Sequence, residues 1–246
     1  IFGNYVRHIG IGGIAMAGLI GIIKSSGIIK SAFVLGAKEI FQKKIDSNNT
    51  LRTNRDLPMG IIAGGIALVA VVVFLFFMFG VVNNIIHALV GLLIVLIISF
   101  LFTTVAANAI AIVGTNPVSG MTLMTLILSS LVLVAVGLTG EAGMVSALII
   151  GGVVCTALSV AGAFVTDLKI GYWLGSSPYK QEKWKFVGTF VSAATVAWVI
   201  LILNQTYGFV GEDALVAPQA NAMAAVIQPL MSNQPAPWIM YVAGMF

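Results

Sequence analysis

The chain has 246 residues, of which 59% are hydrophobic and only 8% charged, with a formal net charge of +4. Soluble domains carry roughly 25% charged residues; this composition, with a mean hydropathy of +1.08, excludes a soluble domain and points to an integral membrane protein. The basic residues sit between the apolar runs, where topology accounts for them, so the charge implies no nucleic-acid partner.

Several apolar runs approach or exceed the ~20 residues that a spanning helix needs, and strict strand-like alternation is absent, so the expected fold is all-α. It is a polytopic transmembrane helical bundle with broken or re-entrant helices. Residues 9–23 are rich in Gly and Ala, with Gly10, Gly12, Gly13, Gly18 and Gly21 thinning one side for close helix packing. Residues 25–56 are expected to form an interfacial helix and a cytoplasmic loop. Ile29, Phe33 and Ile40 recur at helical spacing there, and Lys30, Lys38, Lys43 and Lys44 reach toward headgroups. Residues 57–79 carry no charge and begin next to Pro58, a residue tolerated at a helix start.

Residues 85–136 would be roughly 78 Å long as one helix, too long for one crossing and adequate for two. Between them lies a polar, helix-breaking island, Gly114-Thr115-Asn116-Pro117-Val118-Ser119-Gly120-Met121-Thr122, which either interrupts the second crossing or joins the pair. Further spans are expected over 144–165 and 184–203, separated by a cytoplasmic loop at 166–183. Pro218, Pro229, Pro235 and Pro237 then divide the remainder into pieces too short to span, with 220–231 a half-helix or re-entrant element. The total is about six full crossings.

Four crossings separate the basic segments 38–56 and 166–185, so both should emerge on one side, and the positive-inside rule makes that side the cytoplasm of a plasma (inner) membrane. Cys155 is the single cysteine, which rules out a disulfide within the chain and reads as a packed thiol. The chain opens at Ile1 and stops at Phe246 inside an apolar stretch, so residues 1–246 are expected to be one transmembrane domain of a longer polypeptide.

Two stretches carry a resemblance. The run Asn116-Pro117-Val118-Ser119-Gly120-Met121-Thr122-Leu123 is followed one span later by Asp167-Leu168-Lys169-Ile170-Gly171-Tyr172-Trp173-Leu174-Gly175-Ser176-Ser177-Pro178-Tyr179-Lys180-Gln181. In order and spacing they resemble the oligopeptide transporter superfamily, which includes the yellow-stripe-like metal-chelate carriers. The likeness covers about 114–207, and the opening Arg7-His8-Ile9-Gly10-Ile11-Gly12 is compatible with it. The resemblance implies a long polytopic carrier, commonly proton-coupled, of which this chain would be the C-terminal portion.

Irregular backbone at membrane depth survives only when buried in protein or lining a water-filled cavity, so the break is the first candidate substrate site. Asn116, Pro117, Ser119, Gly120 and Thr122 supply an amide, hydroxyls and freed carbonyls for a polar solute; the bland reading is a kink satisfied by neighbouring helices. Asn108 is taken with them as an extension of the polar path. Glu141 is the only carboxylate between Asp56 and Asp167. A membrane-embedded carboxylate is a proton-relay candidate, whereas a first-turn Glu at a helix start simply favours the dipole. Asp167 and Lys169 form a candidate gating ion pair, against a plain topological loop. His8 and His87 are 79 residues apart and read as packing or interfacial residues, so no metal site is expected.

These readings converge on a secondary active transporter, a proton-coupled symporter of small oligopeptides, with metal chelates (siderophore-like or nicotianamine-like complexes) as the alternative cargo. Its partners are the solute, protons and membrane lipids. No cofactor is implied, no enzymatic motif such as HExxH or GxSxG is present, and the oligomeric state stays open.

Overall fold

The computed structural model describes residues 5–41, 51–114, 118–209, 218–232 and 238–246, which form helices and short connections with no strand among them. The first arm is a bent pair. α1 (Arg7–Lys24) and α2 (Ser26–Phe41) meet at 55° across Ser25, whose N–H donates to the Gly21 carbonyl while its own carbonyl accepts from Ile28 and Ile29. α3 (Met59–Phe77) follows extended Pro58 and passes through a wide turn, Met78–Val82, to Asn83 in the left-handed region. α4 (Ile85–Val113) opens at Asn84, whose Oδ1 accepts from the Ile86 N–H at 2.9 Å, so the side chain satisfies one of the helix's orphan donors.

α5 (Val118–Ala135) returns antiparallel to α4: His87, near the start of α4, lies 3.4 Å from the Val136 carbonyl just past the end of α5. The Asn-Pro break therefore joins a helical hairpin. α6 (Gly140–Trp173), α7 (Pro178–Thr206), α8 (Pro218–Met231) and α9 (Trp238–Met245) complete the described helices. Four spans, Arg52–Val82, Ile85–Val113, Gly140–Trp173 and Pro178–Thr206, are long and apolar enough to cross a membrane, and the bent pair α1–α2 makes a fifth if it counts as one.

That is fewer than the six crossings expected from the sequence. α1 is one arm of a bent unit, and α5, at 18 residues, extends only about 27 Å against a hydrocarbon core of ~30 Å. The expected loop at 166–183 also needs correction. α6 runs on to Trp173 and α7 starts at Pro178, leaving only 174–177 between them. A 34-residue helix is ~51 Å long, so α6 outruns the hydrocarbon, and charged residues beyond it continue the helix because nothing breaks it before Gly175 (φ 68). The loop expected within 25–56 is described only from 51 onward; Lys43 and Lys44 lie outside the described residues.

The core lies between α4, α5 and α6. On α6 Gly143, Ala147, Ile150, Val154, Leu158 and Gly162 are buried at steps of three or four, the period of one helical face. Facing them are Val95, Ile98, Phe102 and Ala106 of α4, with Leu126 and Leu133 of α5. A second cluster, Ile11, Leu123, Val226 and Tyr241, ties α1 to α5, α8 and α9. α7 buries no residue and rests on α6 alone among its principal contacts.

The crossing of α1 and α9 is a backbone contact. A methyl group at Gly12 would collide with the Tyr241 carbonyl, and one at Gly244 with the Ile9 carbonyl, so the two glycines let the helices touch reciprocally. The basic segments also meet. Arg52 Nε donates to the Gly175 carbonyl at 2.9 Å, the Tyr179 N–H to the Arg55 carbonyl at 2.8 Å, and the Leu57 N–H to Glu182 Oε2 at 2.7 Å. Residues 51–57 and the α6–α7 turn thus share one end of the bundle, as an even number of intervening passes requires.

The glycine contact makes a direct prediction. Gly12→Val or Gly244→Val should cost about 1–3 kcal/mol through overpacking, read as a lower unfolding temperature in detergent. Gly10→Ala, where a Cβ meets nothing within 4 Å, should change stability by less than ~0.5 kcal/mol.

Candidate solute-binding cavity

The polar break leads into the second turn of α5, and there the helical period divides its residues. Gly120 and Thr122 are two positions, about 200°, apart on the helix. Gly120 faces α1, where a Cβ would stand 3.4 Å from Ile14, whereas Thr122 is buried and lines a cavity between α5, α6 and α8. Asn116 and Pro117 lie outside the described residues, as does the side chain of Ser119. Asn108 is half-buried on α4, before the Gly114 N–H closes that helix on Ile110 at 2.8 Å, and it does not line the cavity.

The cavity has a volume of about 430 Å³, within the ~300–1,000 Å³ usual for small-molecule sites. Its α6 wall sets a stripe of small and hydroxylated residues, Gly151, Gly152, Cys155, Thr156 and Ser159, between Leu148 and Val160, and Leu126 of α5 and Met223 of α8 complete the lining. Gly151 is where α5 comes nearest, since a Cβ there would reach Leu126 Cδ2 at 2.5 Å. Gly152, Thr156 and Ser159 are exposed, so the cavity opens on their side. Thr156 Oγ1 donates to the Gly152 carbonyl at 2.9 Å, which satisfies its proton within the helix and leaves its lone pairs as acceptors. No charged residue lines the cavity, so what it offers a solute is a mostly apolar wall with a few hydroxyls and polarisable sulfur set into it.

Sequence reasoning misses this α6 wall. The signal is present, because Gly152, Thr156 and Ser159 follow one another at steps of four and three, yet each is unremarkable inside an apolar run. Cys155, expected as a packed thiol, is half-buried and lines the cavity.

The other candidates sit at the ends of α6. Glu141 is exposed in its first turn, after Thr139, in the position that favours the helix dipole. Asp167 and Lys169 do not pair with each other, because residues two apart on a helix face different ways. Asp167 instead accepts from Lys185 of α7 at 2.7 Å, and Lys169 lies 5.5 Å from the Trp173 ring centre. With the pair's side chains 32% and 52% exposed, it contributes at most ~1 kcal/mol. His8 meets the edge of the Tyr241 ring at 5.5 Å and His87 approaches Val136; among the described residues no three His, Cys, Asp or Glu could hold a metal ion.

Residues 1–246 match the family described as OPT oligopeptide transporter protein. The chain is similar to a Haemophilus influenzae protein described as a candidate oligopeptide transporter, at 27% identity over 258 residues covering 93% of this chain. It spans about 40% of that relative's length. No solved structure matches.

Gly152 supplies the test of the cavity, because a Cβ there meets nothing within 4 Å. Gly152→Leu should fill the opening without disturbing the fold, leave the unfolding temperature within about 2 °C, and slow labelling of Cys155 by a methanethiosulfonate reagent by about tenfold, since occlusion removes access of the thiol. Unchanged labelling would show that Gly152 and Cys155 do not share one opening.

Proposed function

Because the chain belongs to the OPT oligopeptide transporter protein family, we propose that it carries small oligopeptides across the membrane by proton-coupled symport and holds them in the cavity between α5, α6 and α8. The observation that carries this reading is the hydroxyl-bearing stripe of α6 lining an open cavity, next to the helix that the Asn-Pro break introduces. Polar groups on an exposed face of a spanning helix are disfavoured in lipid unless they line a water-filled path or meet protein. A peptide's amides and carbonyls match that wall, with Thr122 on the α5 side and Thr156 and Ser159 on the α6 side.

Transport then requires the cavity to open to each side in turn. α6 carries candidate parts for every step along one rod: Glu141 at its start, the cavity near its middle, and Asp167, paired with Lys185, near its end. Protonation of Glu141 is the proposed coupling event, and release of the Asp167–Lys185 pair the proposed gate, with Lys169 stacked beside it on Trp173. Asn108, Asn116, Pro117, Ser119 and Gly120 belong to the proposal as the approach to Thr122. The positive-inside rule assigns the end holding Arg52, Arg55, Lys180 and Lys185 to the cytoplasm, and the proposed membrane is the plasma (inner) membrane.

Uptake by proteoliposomes containing the intact transporter, with an imposed inward proton gradient, tests this directly. Labelled tri- to pentapeptides should accumulate saturably, a protonophore should abolish accumulation, and Gly152→Leu should reduce uptake at least tenfold. Glu141→Gln should abolish gradient-driven accumulation while sparing peptide exchange at equal concentrations, because exchange needs the cavity and not net proton movement. Accumulation of an iron chelate alone would reassign the cargo, and no saturable uptake of either would remove the carrier reading.

A further inference from the structure

At the corner where residues 51–57 meet the α6–α7 turn, two features adjoin apart from the solute cavity. One is a polar cavity of about 360 Å³ lined by Arg52, Arg55, Ser176, Ser177, Tyr179 and Lys180. The other is an apolar groove of about 470 Å³ between α3, α6 and α7, walled by Ile62, Val160, Phe164, Phe186, Phe190 and Ala193. Leu57 links them: its side chain lines the groove, and its N–H is held by Glu182, which with Lys185 and Thr189 also lines the groove.

The charges at this corner are unbalanced. Arg52 is anchored by donating to the Gly175 carbonyl, which leaves its positive charge without a counter-charge. Arg55 and Lys180 meet no carboxylate, since the ion pair present among the described residues is Lys185 with Asp167. Of the two acids at this corner, Glu182 is engaged by the Leu57 N–H, and neither it nor Asp56 forms an ion pair among the described residues. Three cations therefore face one cavity whose lining holds no carboxylate. The groove, in contrast, opens outward, for Phe190 is 77% exposed and α7 buries nothing.

A cationic cavity at the end of an apolar, outward-facing groove fits one kind of molecule, an amphiphile with an anionic head. We propose that this corner binds an anionic phospholipid, its phosphate held by Arg52, Arg55 and Lys180 with the Ser176 and Ser177 hydroxyls, and one acyl chain laid along the groove toward Ala193. Arginine pairs well with phosphate through its planar fork, and clustered basic residues at a membrane surface select anionic over zwitterionic lipid. A soluble phosphate would have no use for the groove.

Native mass spectrometry of the intact transporter in detergent, titrated with phosphatidylglycerol or phosphatidylcholine of matched chains, tests the proposal. Phosphatidylglycerol should be retained about tenfold more tightly, and the double variant R55Q/K180Q should remove that preference. Ala193→Trp, which fills the groove from an exposed position, should weaken phosphatidylglycerol retention, while glycerol phosphate should fail to displace the lipid. Equal retention of the two lipids, indifference to both variants, or displacement by glycerol phosphate would each overturn it. Should the double variant fail to fold, Ala193→Trp and the competition on the native protein still decide.

Discussion

A backbone amide or carbonyl exposed to hydrocarbon costs several kcal/mol, and the whole architecture answers to that constraint. It keeps α4, α6 and α7 unbroken for 29, 34 and 29 residues. The same constraint governs the polar side chains. Thr104, Ser146, Thr156, Thr189, Ser192 and Thr195 each donate to the carbonyl four residues earlier, so their protons are satisfied inside their own helix. This lowers the cost of a hydroxyl on an exposed face of an apolar helix but leaves its lone pairs as acceptors still in want of a partner. On α6 that lower cost is what allows Thr156 and Ser159 to line a cavity while the helix beneath them stays whole.

Packing follows from the same solvent. Hydrocarbon supplies no hydrophobic drive between helices, so close fit must come from small residues and shape. The buried face of α6 alternates glycine and alanine with Ile150, Val154 and Leu158, and receives α4 and α5 together. α5 is the most enclosed of the helices around the cavity, with Thr122, Leu123, Met124, Thr125 and Leu126 buried in succession. One wall of the cavity is thus set deep in the bundle, and the other belongs to a helix whose far side is open.

Much of this is legible in the residues. Charge-free runs announce α3 and α4, and the two basic segments lie together, as the bonds of Arg52 and Tyr179 show, although α5 brings the chain back as a helix shorter than a full span. Proline punctuation marks α8 and α9 as short pieces. The sequence misleads where charge is taken for loop: Asp167 and Lys169 are helical because a helix that has left the hydrocarbon has no reason to stop. Their pairing fails for a matter of angle, since helical periodicity turns Asp167 toward Lys185, a partner on the next helix that no local pattern reveals. The wall of α6 is hidden for the opposite reason. Its residues match their apolar neighbours in size and polarity too nearly to stand out until α5 and α8 are set beside them.

The bonds of the basic corner also bear on how the chain reaches its final arrangement. They join residues 123 and 125 positions apart, with α3 to α6 in between. Contacts of such long range form late, after the closure entropy of everything between them has been met. They can form only if every intervening helix has been inserted in its correct direction, because a single reversed pass would leave Arg52 and Gly175 on opposite faces of the bilayer. Closure of the corner is thus conditional on the threading of α3 to α6: correctly threaded chains make the Arg52–Gly175 and Leu57–Glu182 bonds, and misthreaded ones cannot.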